Sequence, residues 1–248
     1  MFDRTDLFAR IKSDIEKVGY HLTLVIGSPL PRFAYTIGGI DNFGSELIFA
    51  GGEYYSRHDL ARIFHHVFDA LKEGVSWRDL NVHLGSLGSF TLSTVDQSWC
   101  QLLALGAFNY YNQREIPAYQ ILPDREHHTL DIPNLADKFR NESDPVWKWL
   151  SREWELPVPK DSMAFTNLKV LFGSKATELM RWEDDEWEIF SGPGPDVAKQ
   201  DMRAVPLATL LGIDETLSPA LLLEVGTGLW RDEAELAWNP WRVQERDE

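Results

Sequence analysis

Cysteine is nearly missing from this chain: Cys100 is the only one in 248 residues. One thiol cannot form an intrachain disulfide or supply a cysteine-rich zinc site, so a reducing cytoplasm is the expected setting. Long apolar runs are missing too. The densest, Pro219 to Val225, includes Glu224 and falls far short of the roughly 20 residues that a membrane-spanning helix needs. The N-terminus mixes acids and bases from Asp3 to Lys17 and lacks the apolar stretch of a secretory signal, so a soluble protein is expected.

Basic residues are scarce, with 24 Lys and Arg against 39 Asp and Glu and a net charge of −15. The deficit is uneven: residues 1–160 hold 16 basic and 21 acidic side chains, whereas 161–248 hold 8 and 18. Such a field repels nucleic acid and anionic lipid and speeds encounter with basic partners, although excess acid also serves plain solubility. Catalytic signatures are lacking as well. There is no G-x-S-x-G elbow, phosphate loop, H-E-x-x-H, EF-hand spacing or dinucleotide-binding G-x-G-x-x-G, so no catalytic residue, metal ligand set or cofactor is assigned.

What is present is globular: 44% hydrophobic residues with ten Trp and thirteen Phe, enough large rings for a core and some for an interface. Leu7, Phe8, Ile11, Ile15 and Val18 follow helical spacing, with Thr5 placed to cap and Gly19 to end. Tyr20–Ile26, Arg32–Gly38 and Glu46–Ala50 read as strands of an antiparallel meander. Ser56 and Asp59 form a capping box ahead of Leu60, Ile63, Phe64, Val67, Phe68 and Leu71, one apolar helix face closed by Gly74. Ser89–Val95 and Pro117–Leu122 read as strands, and Trp99–Tyr111 fits helix or strand.

Residues 131–160 are polar and proline-rich, and their end, LPVPKDS, reads as a linker. It divides an N-terminal domain, 1–158, from an acidic C-terminal module, 161–248. In the latter, Asn167–Phe172 and Thr177–Trp182 read as strands, and Trp187–Phe190 closes a hairpin around Asp184 and Asp185. Leu207–Leu211 and Ser218–Glu224 read as short helices and Gly228–Arg231 as a last strand. Both units are expected to be α+β, each a mainly antiparallel sheet with helices packed on one face.

Several residue groups bear on chemistry. His58 and His65 share a face of the second helix, near Asp69, which reads as a solvated face rather than a metal site. His127 and His128 follow Asp124, Arg125 and Glu126 in a loop, which reads as a wet surface ahead of a site, although loops carry function disproportionately. Cys100 beside Trp99 reads as inert core. Glu183, Asp184, Asp185 and Glu186 lie between Trp182 and Trp187, the composition of a hot spot for a basic partner or simply of a solvated turn.

The motifs FAYTIGG (Phe33–Gly39), SELIFAGG (Ser45–Gly52), the capped helix ending at Gly74 and PAYQILPDREH (Pro117–His127) resemble the bacterial family known as domain of unknown function 4262, over roughly residues 15–135. That family commonly has His-Pro-Glu where this chain has Gly44, Ser45 and Glu46. The matching polar positions Tyr35, Thr36, Glu46, Asp124 and Arg125 are the ligand pocket the resemblance implies, if they meet at strand ends; their structural use is to suit strands and brace a turn. The stretches DDEWEIFSG, VPLATLLGIDETLSPALLL and GTGLWRD are loosely similar in pattern to modules of bacterial immunity-type proteins, which implies a protein that binds and blocks a partner. The leading expectation is therefore a non-enzymatic binding protein that captures a basic protein partner. The rival is a small-molecule or cofactor-binding enzyme with its pocket in the N-terminal domain.

Overall fold

Apolar residues at helical spacing form α1 (Arg4–Val18), and Thr5 lies inside this helix rather than capping it. Gly19, at φ +92°, ends it, a conformation that glycine adopts without strain. The computed structural model describes residues 4–232, 234 and 237–241. After α1 come β1 (His21–Gly27), β2 (Leu30–Ile37), the short α2 (Gly39–Phe43) and β3 (Glu46–Ala50). The capping box is made as expected: Ser56 accepts from Asp59 N at 3.1 Å and Asp59 accepts from Ser56 N at 2.9 Å, opening α3 (Arg57–Lys72). Then follow β4 (Val82–His83), β5 (Ser89–Thr94), α4 (Gln97–Leu103), α5 (Leu105–Tyr111) and β6 (Ala118–Pro123). The ambiguous Trp99–Tyr111 stretch is thus helical, and Asp96 caps it by accepting from Ser98 N at 2.9 Å.

These elements build the first of two compact units, which holds residues up to Ile26, Arg32–His128 and Ile132–Asp144. Its mixed six-stranded sheet has the order β1-β2-β3-β6-β5-β4. β3 and β6 are parallel neighbours, while β2 pairs with β3, and β5 with β6 and β4, in antiparallel fashion. One face carries Ala34, Leu47, Phe49, Phe90 and Ile121 against the apolar stripe of α3, where each fully buried Leu, Ile or Phe contributes roughly 1.5–3 kcal/mol. The opposite face meets α5, whose Gly106 N donates to the Tyr35 hydroxyl at 3.1 Å. Helices therefore approach both faces of this sheet, one more than the sequence led us to expect.

The second unit takes Gly27–Pro31, Thr129–Asp131 and the chain from Pro145 onward. It begins ahead of LPVPKDS, and that segment is no free linker: Val158 is buried in the core and its carbonyl accepts from Trp154 Nε1 at 2.7 Å. Alternating Pro and apolar residues read as a spacer, but Val158 finds a core to enter. The elements are β7 (Met163–Asn167), α6 (Leu168–Leu171), β8 (Glu178–Arg181), β9 (Glu186–Phe190), β10 (Met202–Pro206), α7 (Leu207–Ile213), a 3-10 turn over Glu215–Leu222, β11 (Gly228–Trp230) and β12 (Asn239–Pro240). The strand expected over Asn167–Phe172 is corrected. β7 ends where it was expected to begin, because Asn167 bonds Ser191 through both ends of its amide, and the apolar run after it is the helical α6.

This sheet too is mixed, in the order β10-β7-β9-β8-β11-β12, with β7 parallel to β9. Strand alternation sends Ala164, Leu179, Trp187, Ile189 and Val205 to one face, where they pack with residues of α6, α7 and the 3-10 turn. Arg231, buried after β11, ties the turn down: it donates to Ala176 O at 2.6 Å and Thr216 Oγ1 at 2.9 Å, pairs with Asp214 at 3.4 Å, and lies 4.0 Å over the Trp238 ring. No helix among the described residues is long and apolar enough to cross a membrane.

Asp214 caps the 3-10 turn through Thr216 N at 3.0 Å and meets Lys175 at 3.0 Å. Burial works to raise its carboxyl, but the bonds from Thr216 and Lys175 outweigh this and hold it below the ordinary value. A carboxyl depressed in the folded state contributes stability that is complete above its unfolded pKa and lost as pH falls through the folded one. Asp214→Asn is therefore expected to destabilise the protein by about 1–2 kcal/mol at neutral pH. In urea unfolding, the difference from the parent should shrink as the pH drops below about 4.

Candidate functional site

Two of the five residues expected to line a pocket, Thr36 and Glu46, do meet, but inside the protein. Glu46 opens β3 with no exposed surface, and Thr36 beside it has none either. The Thr36 hydroxyl donates to Glu46 at 2.5 Å and the Tyr111 hydroxyl at 2.6 Å; the amides of Gly38, Gly39 and Ile40 add donations at 3.0, 3.2 and 3.3 Å. Burial holds the Glu46 carboxyl above its ordinary value, and the Thr36, Tyr111 and backbone donors offset this only in part. A Cβ on Gly39 would stand 2.3 Å from Ser45 O, so the paired glycines of FAYTIGG let the chain close over the carboxylate. Tyr35 is buried on the same strand and holds α5. The motif forms a structural knot in which Glu46 is satisfied by the protein's own donors.

Asp124 and Arg125 lie elsewhere. Glu46 pairs with Ala118 at the start of β6, whereas Asp124 follows its end, about 20 Å away at 3.3 Å per residue. The five residues therefore do not share a cleft, and the N-terminal pocket is corrected accordingly. Equal membership of two motifs carried no information on distance. Arg125 is exposed on a 3-10 turn, Arg125–His127.

Asp124 has a different companion. One of its oxygens accepts from Ser89 N at 2.6 Å, and the other bonds His127 Nδ1 at 2.6 Å. Burial acts to raise the Asp124 carboxyl, but His127 and the backbone donors prevail and keep it below the ordinary value, hence ionised. An ionised carboxylate only accepts, so Nδ1 carries the proton. Ser89 could not be named from the sequence, although the i, i+3 spacing of Asp124 and His127 was a signal.

In the second unit the hairpin exists, but its two indoles part company. Trp182 is 46% exposed, whereas Trp187 is 0% exposed and donates from Nε1 to Ala220 O at 3.1 Å. Trp187 pairs with Arg181, on the core side, and Trp182 stands on the other face. As an interface anchor Trp187 is ruled out, for a reason legible in the alternation of β9. Glu183, Asp184 and Asp185 are exposed and Glu186 is partly so. Arg181 braces the tip from within by donating to the carbonyls of Glu183, Asp184 and Leu223 while its guanidinium covers Trp187 at 4.7 Å.

The face away from the core holds more than the tip. A groove of about 540 Å³ runs over β8 and β9 between Trp182 and Trp241, lined also by Glu178, Met180, Glu188, Phe190, Pro195 and Met202. Trp241 is 47% exposed. Glu178 accepts from Gly194 N at 2.9 Å. Sequence reading missed Glu178, Glu188 and Trp241, although E-W-E-I-F alternates acid with core and thereby marks the open face.

Other candidates recede. His58, His65 and His66 are exposed along α3, with His65 3.5 Å from Asp69. Burial pushes the Cys100 thiol up to about 12, leaving no thiolate at neutral pH.

The first unit is thus a mixed-sheet α+β domain in which one motif builds a buried knot and another an aspartate–histidine pair. Residues 14–130 match the family described as Domain of unknown function (DUF4262), a span that includes both. No curated protein and no solved structure matches the chain.

If Glu46 is a knot, replacing one acceptor oxygen by a donor should break it. Glu46→Gln is expected to cost about 2–3 kcal/mol of stability in urea unfolding, with the near-ultraviolet spectrum of the folded fraction unchanged. A neutral effect would show that the carboxylate is dispensable to the fold.

Proposed function

We propose that the chain is a binding protein whose second unit captures a basic protein partner on the open face of its sheet. One observation carries the reading: two half-exposed indoles, Trp182 and Trp241, bound a groove that also presents the carboxylates of Glu178 and Glu188. Indole faces attract ammonium and guanidinium groups, and nearby carboxylates favour the same cations. Met180, Met202 and Phe190 supply apolar contact for the stem of a Lys or Arg side chain. The acids at Glu183, Asp184 and Asp185 extend the negative field outward, raising the encounter rate more than the strength of the final contact.

Capture without chemistry is how an immunity-type protein blocks a toxin, and that is the role the reading favours, in a bacterial cytoplasm. The large acid excess after residue 160 and the lone, inert thiol support it.

Peptides of alternating Lys and Leu, titrated by calorimetry against matched Glu–Leu peptides, provide the test. The basic series should bind and the acidic one should not, and affinity should fall steeply with salt. Trp182→Ala and Trp241→Ala should each weaken binding by about tenfold or more, as hot-spot truncations do. Reversing Asp184 and Asp185 to Lys should slow association and leave dissociation nearly unchanged. Binding indifferent to both indoles and to salt would refute the proposal.

A further inference from the structure

β3 and β6 are adjacent and parallel, so their C-terminal ends open on the same edge of the sheet. In sheets containing parallel strands this edge is where loops gather around ligands. Here the loop after β3 brings Tyr54 and the loop after β6 brings Asp124 and His127. The imidazole is gripped on several sides. Its Nδ1 is held by Asp124 at 2.6 Å, and the Tyr54 ring meets it edge-on at 4.9 Å and 80°. The Tyr55 ring lies nearly parallel at 6.4 Å. Gly88, at φ +87°, passes so close that a Cβ there would stand 2.5 Å from both Asp124 Oδ2 and His127 Nδ1.

Asp124 is itself locked, since its second oxygen accepts from Ser89 N while Asp124 N donates back to Ser89 O at 2.8 Å. Nε2, in contrast, makes no hydrogen bond with any described residue, and the His127 side chain keeps 16% of its surface exposed. The imidazole is oriented through Nδ1 and offers its Nε2 lone pair outward, the arrangement required of a proton acceptor or nucleophile.

We infer that His127 is an acid–base group, with Asp124 as its positioning residue, serving a hydroxyl-bearing small molecule at the C-terminal edge of β3 and β6. Such a molecule would give a hydroxyl proton to Nε2, and Nδ1–H would stay on the carboxylate that stabilises the resulting imidazolium. The site is independent of the groove in the second unit.

Diethyl pyrocarbonate probes this directly. Nε2 attacks one carbonyl carbon, the bond to the bridging oxygen breaks, ethyl hydrogen carbonate departs with the Nδ1 proton, and the ring retains a carbethoxy group. Peptide mapping by mass spectrometry should find His127 modified about tenfold faster than the exposed His128. Asp124→Asn should remove that advantage while His58 and His128 react as before, which also reports an intact fold. Equal rates at His127 and His128 in the parent, or an unchanged His127 rate in Asp124→Asn, would overturn the inference. Should the variant misfold, nitrogen-15 NMR of the parent decides: a protonated Nδ1 with a bare Nε2 supports it, and the opposite tautomer refutes it.

Discussion

An ionisable group can leave water only where its lone pairs or protons meet partners, and each unit of this protein is organised around one such buried group. In the first unit it is the Glu46 carboxyl group, ringed by two hydroxyls and three backbone amides. Those donors come from the contiguous stretch Thr36–Ile40, running from β2 into α2, and from Tyr111 at the end of α5, so one carboxyl group ties the start of β3 to a neighbouring turn and to a helix 65 residues away. In the second it is Arg231, which joins Ala176, Thr216 and Asp214 across more than fifty residues of chain. Losing the partners at either place would leave a polar group stranded in an apolar interior.

The same constraint sorts conspicuous residues by what they are free to do. Thr36, Glu46 and Tyr111 have their hydrogen-bonding capacity taken up internally, and Trp187 and Cys100 are sealed in the core. What remains available lies at places where satisfaction is partial: the outward nitrogen of His127, and the indoles and carboxylates of the open sheet face. Function is sought there because those groups still have unused chemistry, whatever motif they belong to.

Much of the architecture was legible in the sequence. The α3 stripe and its capping box, the strands at Glu46–Ala50 and Ser89, and the hairpin around Asp184 and Asp185 follow from local rules that tertiary structure did not override. The failures share a cause. Asn167–Phe172 is too short for periodicity to separate strand from helix, and the direction of Asn167 depends on Ser191 twenty-four residues away. Val158 looks like spacer because nothing near it in sequence announces the core that receives it. β10 offers Val205 as its only buried aliphatic side chain, too little alternation to be seen.

Site geometry failed for the same non-local reason, and the instance is instructive. Tyr35, Thr36, Glu46, Asp124 and Arg125 are all polar residues in recurring motifs, and placing them in one pocket assumed that shared motifs mean shared space. Sheet order decides otherwise. Because β3 and β6 run parallel, Glu46 at the beginning of one and Asp124 beyond the end of the other must stand at opposite edges. Had the two strands been antiparallel, the same residues would have met. A single crossover, made by the chain through α3, β5 and α5, thus separates the end that holds the fold together from the end that is left open for chemistry.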